Sequence, residues 1–196
     1  HGAQAVREVV LKHIEQKVEF VEQEEQLGTA HAALLAEKEL RGFGGDVLLR
    51  YADTPLVRTK TLQAIIATHR RENAVGTLLT AVLRHGAHYG RVVRDANGRP
   101  LAVVEALNAD KSVKKIREVN VGAYCFKTPY LFRALKRVEK NEANGEYYLT
   151  DVVRLLSWQG LLISALALAD LREMHGINTK EHLREVEVLL RKNINE

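Results

Sequence analysis

The sequence predicts an α/β fold, with a mainly parallel sheet covered by helices on both faces. Two observations carry this. Short apolar runs alternate with longer segments whose apolar residues recur at helical spacing, as in successive strand–helix–strand units. Arg91 to Asp95 and Leu101 to Glu105 flank Asn97-Gly98, the turn dipeptide of an antiparallel hairpin inserted among those units.

The elements follow in order. Residues 3–16 place Val6, Val9, Val10 and Ile14 on one helical face, and Val18 to Val21 is a short apolar run. Thr29 to Leu40 is rich in Ala and Leu and reads as a helix capped by Thr29. Gly42 to Gly45 ends it, and Val47 to Tyr51 reads as a central strand. Thr59 to Arg71 is a helix and Gly76 to Leu83 a strand; after the hairpin, Val119 to Phe126 is another strand. Pro129 to Glu139 is a helix with proline in its first turn. Tyr148 to Gln159 (helix), Leu161 to Leu168 (strand) and Thr179 to Lys192 (helix) complete the chain.

With 196 residues, 46% hydrophobic and 28% charged, the chain has the length and composition of one globular domain with a short appendage. We divide it into a domain over 1–180 and a C-terminal linker helix over 181–196. No apolar stretch approaches the roughly 20 residues that span a bilayer, so no membrane partner is expected. The single Cys125 excludes an internal disulfide and lies in the apolar run Ala123-Tyr124-Cys125-Phe126, which reads as a buried, inert thiol. These features, and a start without a signal peptide, suggest a cytoplasmic protein. The net charge of +4 suits an anionic ligand, but the basic residues are too interleaved with apolar and acidic ones to track nucleic acid. No six-residue repeat of the kind that builds a left-handed β-helix is present.

In open α/β sheets, ligands bind beyond the carboxyl ends of the strands. Asp53 stands there, in Tyr51-Ala52-Asp53-Thr54-Pro55-Leu56. A carboxylate so placed can hold Mg²⁺ across phosphates, or it can form an Asx turn before the proline. In Gln23-Glu24-Glu25-Gln26-Leu27-Gly28-Thr29-Ala30-His31 a polar loop enters a helix. Its N–H groups can bind anions and Gln23 can read a base edge; a capped helix after a solvated loop is the alternative. Gly90, in Tyr89-Gly90-Arg91, permits close approach of a ligand or marks a bulge. Asn144-Gly145-Glu146-Tyr147-Tyr148-Leu149-Thr150-Asp151 is unusually polar and aromatic for a loop–helix junction, and capping by Thr150 or Asn144 leaves the paired tyrosines unaccounted for. His85 and His88 lack a third ligand for zinc, and neither a nucleophile elbow, a Walker lysine loop nor a dinucleotide glycine fingerprint is present.

Taken in order, Glu25-Gln26-Leu27-Gly28-Thr29-Ala30-His31-Ala32, Tyr51 to Leu56, Tyr89-Gly90-Arg91, Glu118-Val119-Asn120-Val121-Gly122, Gly145 to Asp151 and Gly176-Ile177-Asn178-Thr179 resemble one family. It is the uridylyltransferase half of the bacterial bifunctional enzymes that make UDP-N-acetylglucosamine, among the sugar-1-phosphate nucleotidyltransferases. The resemblance runs from His1 to about Leu190. It implies a three-layer Rossmann-like nucleotidyltransferase fold and uridylyl transfer from UTP to N-acetylglucosamine 1-phosphate, giving UDP-N-acetylglucosamine for cell-wall precursor synthesis. By matching position, Gln23 would contact uracil, with Gly28 and Thr29 beside it. Tyr51, Ala52 and Asp53 would line the site, and Asp53 and Asn178 would ligate Mg²⁺. Gly90, Glu105 and Asn120 would bind the N-acetylglucosamine moiety, with Tyr148 and Thr150 close by.

Three departures stand out. Ala52 occupies a position where the family usually has glycine, and Leu107, in Glu105-Ala106-Leu107-Asn108-Ala109, occupies that of a lysine. The third is that the family's opening βαβ unit of ~30 residues, with its first strand and glycine-rich phosphate loop, is absent, as is the C-terminal acetyltransferase β-helix through which full-length relatives form homo-oligomers. These 196 residues alone are therefore expected to turn over little. Two rival readings stay open: a related enzyme for another sugar or nucleotide, such as a glucose-1-phosphate thymidylyltransferase, and an inactive nucleotide-sugar-binding or regulatory relative.

Overall fold

The structure, a computed structural model, describes residues 2–86 and 88–193. The helices are α1 (Ala3–His13), α2 (Thr29–Leu35), α3 (Thr59–Arg71), α4 (Thr128–Leu135), α5 (Asp151–Ser157) and α6 (Lys180–Asn193). The strands are β1 (Asp46–Arg50), β2 (Gly76–Val82), β3 (Arg91–Arg94), β4 (Pro100–Val104), β5 (Glu118–Lys127) and β6 (Ile163–Ala167). Val18 to Val21 forms no strand, and α1 buries none of its residues. No helix among the described residues is long and apolar enough to cross a membrane.

All six strands form one sheet, organised by the ten-residue β5. Successive strand side chains point to opposite faces, and β5 uses this period to build two cores. Tyr124 and Phe126 belong to one, with Leu131 and Phe132 of α4 and Val152 and Leu156 of α5. Val119, Val121, Ala123 and Cys125 belong to the other, with Ile65 of α3 and Met174. The result is helix, sheet, helix. Cys125 is fully buried, and burial pushes its thiol up to about 11.

The α/β class holds, but the sheet is not mainly parallel. Only β2 and β6 pair in parallel among the described strands; β1, β2 and β3 all run antiparallel to β5, as β3 does to β4. The helical crossovers do set β1, β2 and β6 in one direction, since β1 and β2 are both opposed to β5 and β6 follows β2. The chain then enters β5 from the hairpin side, and β5 inserts between β1 and β2 in reverse. Nor is β1 central: among the described residues it pairs with β5 alone.

Candidate functional site

The candidate site is organised where β5 changes partner. Residues 123–127 pair with β1, and Val119 pairs with Arg91 of β3. Between these ladders two loops reach the strand: Tyr51 donates its N–H to the Gly122 carbonyl at 2.9 Å, and Asn120 donates its own to the Gly90 carbonyl at 2.9 Å. Opposite, the pairing of β2 shifts register between Leu78 and Thr80. Gly122 sits at φ 84°, a left-handed conformation that side chains with a Cβ resist. A Cβ there would lie 2.4 Å from Tyr51 Cδ2. Tyr51 thus rests directly on the strand and meets Tyr124 edge to face, ring centroids 6.1 Å apart.

On the β3–β4 side the structure gathers the residues assigned to the sugar. A Cβ at Gly90 would come within 2.9 Å of Val103 Cγ1 and 3.2 Å of Glu105 Oε2, so the loop is pressed against that carboxylate. The Thr150 hydroxyl donates to Glu105 Oε1 at 2.8 Å. It makes no cap bond to α5, although Thr150 stands at the N-cap. Burial raises the Glu105 carboxyl, against the pull of that hydroxyl. Asn120, 7% exposed, donates from Nδ2 to Tyr124 Oη at 2.7 Å and accepts the Gly122 N–H on Oδ1 at 3.3 Å. Glu105, Tyr148 and Thr150 border a cavity of about 520 Å³, with Arg154 and Lys140 on its wall.

The residues assigned to the nucleotide form a second cluster, held by a backbone clasp. Tyr147 donates to the Leu27 carbonyl at 2.8 Å and accepts the Ala30 N–H at 2.9 Å. This explains one of the paired tyrosines: Tyr147 works through its backbone, while Tyr148 faces the cavity. Gly28, at φ 100°, lies so close to the clasp that a Cβ would be 2.6 Å from the Tyr147 carbonyl oxygen. Gly28, not Thr29, is the N-cap of α2. The reason is that the Thr29 hydroxyl turns to the Leu149 N–H, which it accepts at 2.9 Å. Gln23 Nε2 contacts the Gly28 carbonyl at 3.2 Å and His31 Nδ1 at 2.9 Å. Both amide hydrogens are thereby engaged, which leaves the carbonyl oxygen as the group Gln23 can offer to a donor.

Tyr51 joins the two clusters. Burial pushes its phenol up, while the nearby Tyr124 and Thr29 hydroxyls draw it down. Thr29, Tyr51, Tyr124 and Asn120 therefore form a chain of polar side chains from the α2 entrance to the β5 strand. Gly122 and Tyr124 carry part of this geometry, yet the sequence assigns a role to neither. The available signal was the alternation of Asn120, Gly122 and Tyr124 on one face of a strand.

Asp53 and Asn178 form a third group. The Ile177 N–H donates to the Asp53 carbonyl at 2.7 Å, bringing the two loops together. Both residues are exposed, as is Ala52 between Tyr51 and Asp53. Among the described residues the Asp53 carboxylate makes no Asx-turn bond; the local turn is closed by the Thr54 hydroxyl, which donates to the Tyr51 carbonyl at 3.3 Å. One carboxylate and one amide oxygen suit a hard cation whose remaining ligands are phosphates and water. No group of three or more His, Cys, Asp or Glu able to hold a metal by itself exists among the described residues. Leu107 is 64% exposed and lends the crevice no charge.

The fold is that of the nucleotidyltransferases. A UDP-glucose pyrophosphorylase complexed with UDP-glucose superposes with a TM-score of 0.67 at 16% identity, covering 97% of this chain and 72% of that one. The apo form of a UDP-glucose pyrophosphorylase superposes equally well, TM-score 0.67 at 14% identity, covering 98% and 70%. The profile described as "Nucleotidyl transferase" matches residues 3–170, and the chain belongs to that family. The Bifunctional protein GlmU of Listeria monocytogenes serotype 4a is 40% identical over all 196 residues, and that of Pelotomaculum thermopropionicum 44% over 187 residues, 95% of the chain. The chain spans 42% and 41% of the length of these two relatives.

Proposed function

We propose that this chain is the uridylyl-transferring part of an enzyme that makes UDP-N-acetylglucosamine and pyrophosphate from UTP and N-acetylglucosamine 1-phosphate. The observation that carries the reading is the pair of clusters joined through Tyr51. One end offers an amide carbonyl and backbone groups suited to a base. The other, Gly90, Glu105, Asn120 and Thr150, offers neutral and acidic acceptors and an amide donor suited to hydroxyls and an acetamido group. The identity of 40–44% to GlmU proteins supports it.

In this reading the Gln23 carbonyl oxygen accepts the uracil N3–H, and the Leu27–Ala30 clasp fixes the depth of the base. Asn120 and Glu105 hold the sugar ring so that its 1-phosphate oxygen faces the α-phosphorus. The attacking phosphate is already ionised, so no side chain serves as a general base. The rate gain comes from alignment of two bound reactants. Asp53 and Asn178 are the residues that would hold Mg²⁺, which when bound neutralises charge on the phosphates.

The test is pyrophosphate release by the full-length natural protein containing these residues. UTP and dTTP are each paired with N-acetylglucosamine 1-phosphate, glucose 1-phosphate and galactose 1-phosphate. UTP with N-acetylglucosamine 1-phosphate should give the highest kcat/KM. A preference for dTTP with glucose 1-phosphate would assign another member of the family, and no turnover with any pair would assign a binding or regulatory role.

A further inference from the structure

Asn120 is useful to a ligand only if its amide points one way. The side-chain amide can turn end for end, presenting either two N–H donors or a carbonyl acceptor to the crevice. Two bonds hold it: Nδ2 to Tyr124 Oη at 2.7 Å and the Gly122 N–H to Oδ1 at 3.3 Å. The first is much the shorter, and its acceptor is a fully buried side chain.

The phenol is itself held. Tyr124 packs against Phe126, ring centroids 5.7 Å apart, and meets Tyr51 edge to face. Its hydroxyl accepts from Asn120 and lies beside that of Tyr51, and burial pushes it well above its ordinary value. Since Oη receives the Asn120 N–H, its single hydrogen is free to go to Tyr51. A phenylalanine would fill the same space in the core, so packing alone does not call for the hydroxyl. Its placement does. Asn120, Gly122 and Tyr124 lie at every second position of β5 and so on one face, and the glycine between them leaves the room that Tyr51 occupies.

We propose that Tyr124 is a positioning residue for sugar-phosphate recognition: its buried hydroxyl fixes the Asn120 amide so that one Nδ2 hydrogen is presented to the sugar. The proposal rests on the reading of the β3–β4 side as the sugar site. It distinguishes Tyr124 from a core tyrosine, whose hydroxyl would have no bearing on one substrate more than on the other.

The experiment is steady-state kinetics on the full-length natural protein, with Tyr124→Phe, Asn120→Ala and the double variant, alongside thermal unfolding of each. Tyr124→Phe should raise the KM for N-acetylglucosamine 1-phosphate by roughly tenfold, the scale of one lost buried hydrogen bond, and leave the KM for UTP within about twofold. In the Asn120→Ala background the same substitution should add nothing, because the amide it orients is gone. An unchanged sugar-phosphate KM, an equal rise in both KM values, or effects of the two substitutions that multiply would each overturn the assignment. Absence of turnover in the unaltered protein would instead overturn the reading of the site on which the assignment rests.

Discussion

Arg58 and Glu173, 115 positions apart, tie the loop after β1 to the segment after β6. Arg58 Nε donates to Glu173 Oε1 at 2.8 Å and its backbone N–H donates to Oε2 at 3.0 Å, while Nη2 reaches both Oε1 and Asp170. Glu173 is 3% exposed, and Arg58 is its ion-pair partner. The pair closes the same two segments that carry Asp53 and Asn178.

Removing one member of a buried ion pair costs about 3–5 kcal/mol, because the other charge stays behind. The Arg58 side chain is 38% exposed, so water can take over part of its solvation, and the low end of that range applies. Glu173→Ala is expected to lower the unfolding free energy by about 3 kcal/mol, measured by urea denaturation. A loss below about 1 kcal/mol would place the pair with ordinary surface bridges.

Gly122→Ala should be costly for two separate reasons. Its φ of 84° is unfavourable for any residue with a Cβ, and the added methyl would meet the Tyr51 ring. Backbone strain contributes about 1–2 kcal/mol, and displacement of the ring adds to it. Urea denaturation should show a loss of at least that size. A midpoint equal to that of the parent would mean that Tyr51 does not rest on this strand.

Glu105 gives a pH dependence with a definite sign. Burial raises its folded-state pKa above the ordinary 4.5. Its contribution is therefore fully present below the unfolded value and is lost as pH rises through the raised folded value. Glu105→Gln keeps an acceptor for the Thr150 hydroxyl but removes the buried charge. The variant should be more stable at pH 7, on the order of 1 kcal/mol or roughly 2–4 °C in Tm, with a flatter profile above pH 4.5. Its affinity for the sugar phosphate should fall. Melting curves from pH 4 to 8 check the first part, and a destabilised variant at pH 7 would contradict it.

Asp53 and Asn178 should not be equal in their effect on the cation. Only Asp53 brings charge, so Asp53→Asn in the full-length protein should abolish turnover, while Asn178→Ala leaves activity that excess Mg²⁺ partly restores. Mn²⁺ binding in the presence of UTP, followed by water-proton relaxation, gives a second readout. Equal losses that no Mg²⁺ concentration relieves would contradict the ranking.

Much of the fold was legible in the sequence, and the parts that were not have physical reasons. The α3 helix runs over Thr59–Arg71, as its periodicity predicts, because an amphipathic pattern is a local property. The reversed direction of β5 is a global one: Val119 to Phe126 reads equally well in either sense, and only its pairing with strands distant in sequence sets its sense. Helix lengths were overestimated where apolar runs continue into turns, as after Leu35 and Leu135. In the site, the sequence placed Gly90, Glu105, Asn120 and Thr150 near one another only through family likeness; the structure adds which atoms meet. Thr29 and Thr150 looked like helix caps because hydroxyls at helix starts usually are, but each spends its hydroxyl on a distant segment. Tyr124 was hidden inside an apolar run, where an aromatic residue reads as core.

The clasp between Leu27–Ala30 and Tyr147–Leu149 also has a consequence in time. Thr29 meets Leu149 across 120 residues, so a ribosome that has just released the first segment from its tunnel must extend the chain by that length before the second emerges. At roughly 5–20 residues per second this takes about 6–24 s. During that interval the start of α2 has no docking surface, and Ala30, 2% exposed in the finished domain, faces solvent or whatever binds nascent chains. The start of α2 is thus synthesised well before the segment that gives it its final shape.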